Sequence, residues 1–209
     1  EFKEGLLDGR CVYYRGELVE DIVAHDDLGI GAEHVSLDFS MAEDREFSEL
    51  MTWDDAGLGD RCSRYFKIPT NVEDLLNRRE MIEASTRLAN GVVLLIKEIG
   101  SDALFALDLV TNQVDAEFGT DYRNRVQSFL KRCKLEDLSL AVAQTDVKGN
   151  RSLLPSQQDH PDYFVHIVEE RSDGIVVRGA KAHTTCAPYV DQLIVLPTRA
   201  LGEDDKSYA

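Results

Sequence analysis

The sequence predicts an α+β chain, helices first and antiparallel strands second, and three observations carry that prediction. Between residues 72 and 130 apolar residues recur three to seven apart, the spacing of helical stripes. After about Asp137 the period becomes extended, in "LSLAVAQT" (138–145), "YFVHIVEE" (163–170), "GIVVRGAKA" (174–182) and "QLIVLPT" (192–198). The link "RSDG" between the second and third of these runs has the length and residue types of a hairpin turn, with Gly174 free to take positive φ. The expected organisation is a mainly helical domain over 1–137 and a strand domain from 138 to 209.

Taken in order, "DGRCVYYRGELVEDIVAH" (8–25) reads as two short strands around a glycine-centred turn. Ser40 followed by Glu43 has the spacing of a capping box, which predicts a helix start there. Pro69 and Thr70-Asn71 predict the start of the next helix, whose apolar face is expected to hold Val72, Leu75, Leu76 and Ile82. Leu104, Leu107, Val114 and Phe118 mark a further helix ending at Gly119, and Tyr122, Val126, Phe129 and Leu130 mark a third.

The bulk numbers exclude several classes of function. Thirty-nine acidic against 23 basic residues give a formal charge of −16, which argues against a nucleic acid or an anionic membrane surface as principal partner. The longest apolar run, "GVVLLI" (91–96), is far short of the ~20 residues that cross a bilayer. Cys11, Cys62, Cys133 and Cys186 lie far apart with no C-x-x-C pair, so a reducing cytoplasm is expected and no zinc ribbon. The histidines lack metal-ligand spacing, and no metal is expected.

Two segments carry candidate chemistry. "QTDVKGNR" (144–151) follows a strand and sets Gly149 beside Lys148, Asn150 and Arg151, residues that can cradle an anion or a flat ring. "VVRGAKAHTT" (176–185) brings Arg178, Lys181, His183, Thr184 and Thr185 to a strand end, where a hydroxyl can tune a redox-active ring. By spacing alone, a polar loop is far commoner than a cofactor cradle, and for the second segment an ordinary strand end fits equally well. "RCSRYFKIPT" (61–70) offers Arg61, Arg64 and Lys67 to phosphates, or packs as a loop by its aromatics.

"DLLNRREMI" (74–82), "GSDALFAL" (100–107), "FGTDYRNRVQSFLK" (118–131), "TDVKGNRSLLPSQQDHPD" (145–162), "DGIVVRGAKAHTT" (173–185) and the closing "LPTRALGEDDKSYA" resemble, in order and spacing, the 4-hydroxyphenylacetate 3-hydroxylase / 4-hydroxybutyryl-CoA dehydratase flavoprotein family. The resemblance covers nearly the whole chain and looks closest to the dehydratase branch. It implies an acyl-CoA dehydrogenase-like fold: an N-terminal helical domain, a middle antiparallel β-barrel, and a C-terminal helical bundle, absent from this chain, that drives homotetramer formation. It implies FAD, or FADH2 supplied by a separate flavin reductase, with cofactor contacts at Gln144, Thr145, Lys148, Gly149, Asn150, Arg151, His183, Thr184 and Thr185, and Thr185 as neighbour of the flavin N5.

Departures from the family sharpen the expectation. The dehydratases ligate a [4Fe–4S] cluster with two cysteines at the positions of Leu94 and Glu98, so no iron–sulfur cluster is expected here. The hydroxylases clamp a phenol at positions that correspond to Ile99, Ala103 and Val142, all apolar in this chain. Glu98 is the candidate general base. The resemblance thus implies a flavin-dependent, monooxygenase-like oxidoreductase acting on an aromatic or acyl-CoA substrate. The alternatives are a cluster-free 4-hydroxybutyryl-CoA dehydratase/vinylacetyl-CoA isomerase-like enzyme, or an inactive fragment or split subunit that needs a partner chain.

Overall fold

The computed structural model describes residues 1–208, which divide into two compact units. The first holds Glu1–Ala141 together with Cys186–Gln192; the second holds Val142–Thr185 and the segment that begins at Leu193. The fold mixes helix and sheet.

In the first unit a single helical turn, α1 (Phe2–Gly5), precedes the expected opening hairpin of β1 (Val12–Tyr14) and β2 (Glu17–Val19), with Val12 opposite Val19. Arg15 and Gly16 form its turn at φ of 51° and 89°, the left-handed pair that matches strand twist. The next helix, α2 (Leu28–Glu43), corrects the predicted capping box at Ser40–Glu43. Ser40 lies in its last turn and donates its hydroxyl to the Ser36 carbonyl at 3.1 Å, so it meets no free helix-start N–H.

After α3 (Ser48–Met51) comes a hairpin the sequence did not signal, β3 (Thr52–Asp55) with β4 (Asp60–Ser63). Its aspartates are poor strand formers. Asp55 holds the turn instead, its Oδ1 accepting from the Gly57 and Leu58 amides at 2.9 and 3.3 Å. A 3-10 turn, Arg64–Phe66, then buries Tyr65 and Phe66.

Helix α4 (Val72–Leu88) starts where expected, with Asn71 Oδ1 accepting from the Asp74 amide at 2.9 Å. Most of its predicted apolar face is turned outward: Val72 is 71% exposed, Leu75 56% and Leu76 49%, while Ile82 packs as expected against the core of Met41, Met51, Tyr65 and Met81, and Asp74, Met81 and Ser85 are buried. Hydrogen bonds set this rotation. Asp74 is drawn in by Lys67 and by the amide and hydroxyl of Thr70, and Arg78 donates to the Tyr65 carbonyl at 3.0 Å and the Glu98 carbonyl at 3.2 Å. The two bonds from the Arg78 guanidinium to buried carbonyls contribute roughly 1.5–3 kcal/mol each, enough to outweigh a weak stripe.

Helices α5 (Glu98–Phe118) and α6 (Tyr122–Glu136) are joined through Gly119, which caps α5 at φ 67° as its position predicts. Leu104 of the expected stripe is buried, whereas Phe118 at its far end is exposed. A Cβ on Gly100 would come within 2.2 Å of the Leu140 Cβ, so glycine lets the start of α5 approach that strand. Val35, Ala89, Leu94, Ile96, Ala141 and Val190 form one core of this unit, and Met41, Met51, Tyr65 and Met81 another.

The remaining strands are β5 (Leu140–Ala143), β6 (His166–Arg171), β7 (Gly174–Arg178) and β8 (Gln192–Val195). β6 and β7 form the expected antiparallel hairpin, Arg171 opposite Gly174, and Gly174 opens β7 without the positive φ anticipated for it. β5 pairs with β8. The bonds advance together along both strands, Gln192 N–H to Ser139 O and Leu196 N–H to Ala143 O, so this pair is parallel and not antiparallel as expected. Every sheet among the described residues is two-stranded, and no closed barrel is present among them.

Candidate functional site

The two segments singled out by sequence meet in the second unit. Asp146 and Lys181 form an isolated antiparallel bridge, and the Ala182 amide donates to the Thr145 carbonyl at 2.7 Å. One segment leaves this bridge as Val147–Arg151 and the other as His183–Thr185, so all nine proposed cofactor residues flank a single junction. Left-handed backbone marks both exits: Lys148 has φ 78°, Gly149 47° and His183 57°. Non-glycine residues held there carry strain of order 1–3 kcal/mol, a condition concentrated at functional sites.

The loop is held from within. Lys148 N–H donates to the Tyr163 carbonyl at 3.2 Å. The Gln158 amide accepts from Asn150 N–H at 3.0 Å and donates to Asn150 O at 2.9 Å, and Asn150 Oδ1 accepts from Ser152 N–H at 3.0 Å. A Cβ on Gly149 would lie 2.5 Å from both Gln158 Oε1 and the Tyr163 ring, so this glycine serves the loop's own packing. A pocket of about 450 Å³ opens here, lined by Gly149, Asn150, Leu153, Gln157, Gln158 and Tyr163, among others. Among the described residues, the side chains of Lys148, Arg151, His183, Thr184 and Thr185 make no hydrogen bond or ion pair with protein groups. Two cations and three polar tips therefore stand ready for a ligand, a donor set that fits an anionic, ring-bearing cofactor.

Sequence reasoning missed the residues that hold the junction. Asp146 and Lys181 pair at 2.7 Å, and Lys181 also donates to the carbonyls of Gln144 (3.0 Å) and Leu196 (2.8 Å). The Thr198 hydroxyl, with one proton to share, lies within hydrogen-bond reach of both the Gln144 carbonyl and Asp146 Oδ2, and its oxygen accepts from the Asp146 amide at 3.3 Å. All three lie inside quoted motifs, but nothing in their spacing shows which cations face inward.

Glu98, the candidate base, lies in the first unit at the start of α5 and is buried. Its Oε1 accepts from the Tyr65 hydroxyl at 3.1 Å and its Oε2 from the Lys97 amide at 3.2 Å. Burial, and then the Glu98 charge, push the Tyr65 phenol well above its ordinary range, so the phenol stays protonated and donates. Beside it the fully buried Lys97 ammonium pairs with Asp38 at 2.7 Å and Asp137 at 2.8 Å. Burial pushes the Asp38 carboxyl up, and its Oδ1 has no hydrogen-bond partner. Burial would pull Lys97 down, but the two aspartates hold it above its usual value. The setting of Glu98 is a polar network.

Leu94 is buried in apolar packing, and its carbonyl accepts from the Cys186 thiol at 3.6 Å. Burial pushes that thiol up to about 11, with the Glu98 charge adding to it. Neither Leu94 nor Glu98 supplies a thiolate, so the residues at these positions do not fit an iron–sulfur cluster. The cations of 61–70 are spent internally, which removes the phosphate-binding reading. Arg61 binds Thr52 and Glu49, Arg64 binds the carbonyls of Glu49, Leu50 and Thr52, and Lys67 binds Asp74. Of the positions matched to a phenol clamp, Ile99 is exposed while Ala103 and Val142 are half-buried.

Known proteins resemble this chain in sequence and fold. A 4-hydroxybutyryl-CoA dehydratase/vinylacetyl-CoA-Δ-isomerase from Clostridium aminobutyricum is 35% identical over 199 residues, 95% of this chain and 40% of that protein. The solved structure of an oxygen-tolerant archaeal 4-hydroxybutyryl-CoA dehydratase from N. maritimus superposes on 100% of this chain and 41% of its own, with TM-score 0.90 and 34% identity. The oxygenase component of 4-hydroxyphenylacetate 3-monooxygenase, solved in complex with FAD, superposes with TM-score 0.84 over 99% of this chain and 42% of its own; at 24% identity that likeness shows the fold alone. The chain therefore spans about two fifths of the length of these relatives. The family model described as 4-hydroxyphenylacetate 3-hydroxylase N terminal matches residues 1–209, and the chain belongs to that family.

Proposed function

We propose that the protein acts as a flavin-dependent oxidoreductase and that the junction of 144–151 with 181–185 is its flavin site. The observation that carries this reading is the Asp146–Lys181 bridge, which joins two segments about 35 residues apart and leaves their ligand-competent side chains unpartnered. Lys148 and Arg151 bind the cofactor's phosphates. Asn150 and Gln144 orient it. Thr145, His183 and Thr184 would line the cofactor's ring, and Thr185 would offer its hydroxyl near N5. When bound, FAD supplies a ring that accepts or delivers electrons and, in reduced form from a separate reductase, reacts with O2.

Glu98 holds or releases a proton at its carboxylate, with Tyr65 and the Lys97 amide fixing its orientation. The sequence positions of the family's phenol clamp hold the apolar Ile99, Ala103 and Val142, which favours an aromatic or acyl-CoA substrate recognised without that polar clamp. The middle domain completes into a barrel in the assembled enzyme, a homotetramer. Its four cysteines are free thiols, which supports a cytoplasmic setting.

The reading is tested by titrating FAD into the full-length protein and its Arg151→Ala variant. A charge-assisted contact contributes roughly 1.5–3 kcal/mol, so affinity is expected to fall about tenfold or more. Unchanged affinity sinks the assignment of the loop. A second reading, a cluster-free dehydratase or isomerase, is favoured by the higher identity to the two dehydratases. Substrate-dependent oxygen uptake in the presence of a flavin reductase separates them: the monooxygenase consumes O2 and the dehydratase does not.

A further inference from the structure

We propose that Lys181 is a positioning residue for the flavin site, acting through Asp146 and not through contact with the ligand. This rests on the flavin reading above. The lysine stands in the same motif as His183, Thr184 and Thr185, where a cation invites assignment to the cofactor's phosphates. Its geometry assigns it elsewhere.

The Lys181 ammonium has three donors and three protein acceptors: Asp146 Oδ1 at 2.7 Å, the Gln144 carbonyl at 3.0 Å and the Leu196 carbonyl at 2.8 Å. Its side chain is 10% exposed and that of Asp146 2%. Asp146 is equally occupied, its Oδ1 also accepting from the Val165 amide at 3.2 Å and its Oδ2 from the Thr198 hydroxyl. The Thr198 hydroxyl lies within 2.6 Å of the Gln144 carbonyl as well. One buried ion pair thus ties together four pieces of chain: the start of the loop, the strand end at 181–182, the entry to β6, and 196–198. With no donor left over, Lys181 offers nothing to a ligand. A charge in this state fixes where the backbone of 145–148 and 182–185 runs, and so where Lys148, Arg151 and Thr185 project.

Removing one partner of such a pair leaves a buried, unpaired charge, so either single substitution releases the junction. Residues that act as one unit show non-additive effects, so the double substitution does no further harm. The test compares Lys181→Met, Asp146→Asn and the double variant in the full-length protein. FAD binding is followed by flavin fluorescence, and amide exchange is followed at Ala182, whose N–H closes the bridge. Each single variant is expected to weaken FAD binding about tenfold or more, the double variant no more than either, and Lys181→Arg to recover most of the affinity. Ala182 exchange should quicken while the β6–β7 amides stay protected.

Full FAD affinity in Asp146→Asn beside a large loss in Lys181→Met overturns the proposal, because the lysine would then touch the ligand itself. Undisturbed Ala182 exchange in both single variants overturns it too. If the unmodified full-length protein takes up no FAD, the flavin reading fails and the exchange result alone decides the clamp. Should Lys181→Met fail to fold, Thr198→Val keeps the ion pair, removes only the hydroxyl, and is judged by the same two results.

Discussion

At Lys97 a single cation is enclosed by Asp38 and Asp137 and lies 4.0 Å from the centre of the Phe39 ring, without solvent access. Replacing it with Met leaves two carboxylates without their counter-charge, and truncating one side of a buried ion pair costs roughly 3–5 kcal/mol. Lys97→Met is therefore expected to lower the denaturation midpoint strongly. Asp38→Asn is expected to do so less, because the ammonium keeps its Asp137 partner. Equal losses in the two variants would contradict this. The hairpin residue Arg15 behaves in the opposite sense. Its φ of 51° suits Asn better, so Arg15→Asn should slow amide exchange across Val12–Val19, by up to about 1 kcal/mol in local opening energy. At this scale the candidate ligand residues are proposed from contiguous motifs, which the sequence displays directly. Lys181 and Asp146 were legible as residue types but not as partners, since inward or outward orientation of a cation leaves no mark on spacing.

Among the elements, helix ends were readable and helix faces less so. Asn71 and Gly119 cap where their chemistry places them, because caps are local. The face of α4 was misread because its rotation is decided by Lys67, Thr70 and Arg78 reaching from or to other segments, information absent from its own periodicity. That substitution of polar for apolar burial gives α4 a pH dependence. The Lys67 hydrogen bond, with the Thr70 amide, holds the Asp74 carboxyl at about 2, below its unperturbed value of about 3.9. A depressed carboxyl stabilises the fold fully above the unfolded value, and that contribution is lost as the pH falls from about 4 toward 2. The side-chain partners Lys134 and Arg123 lower Asp55 and Asp108 in the same direction. Stability should therefore drop on acidification through this window, and Asp74→Asn should flatten the slope; an unchanged slope would exclude the Lys67–Asp74 pair as a contributor. The parallel β5–β8 pair was likewise hidden, since alternation specifies a strand but not the direction of its partner.

For the whole molecule, the family was legible because motif order and spacing persist along nearly all of the chain, and the family model spans residues 1–209. The division into units was less so, because 186–192 returns to the helical unit, where Arg10 holds it through the carbonyls of Pro188 and Val190. The chemistry of Leu94 and Glu98 predicts flavin without stoichiometric iron when the protein is purified anaerobically; about four irons per chain would contradict it. The central claim, that the Asp146–Lys181 junction holds a flavin, is tested most directly by amide exchange of the full-length protein with and without FAD. Protection is expected in 144–151 and 181–185, with the Ser172-Asp173 turn unaffected. Protection confined to other segments, or none at saturating FAD, would contradict it.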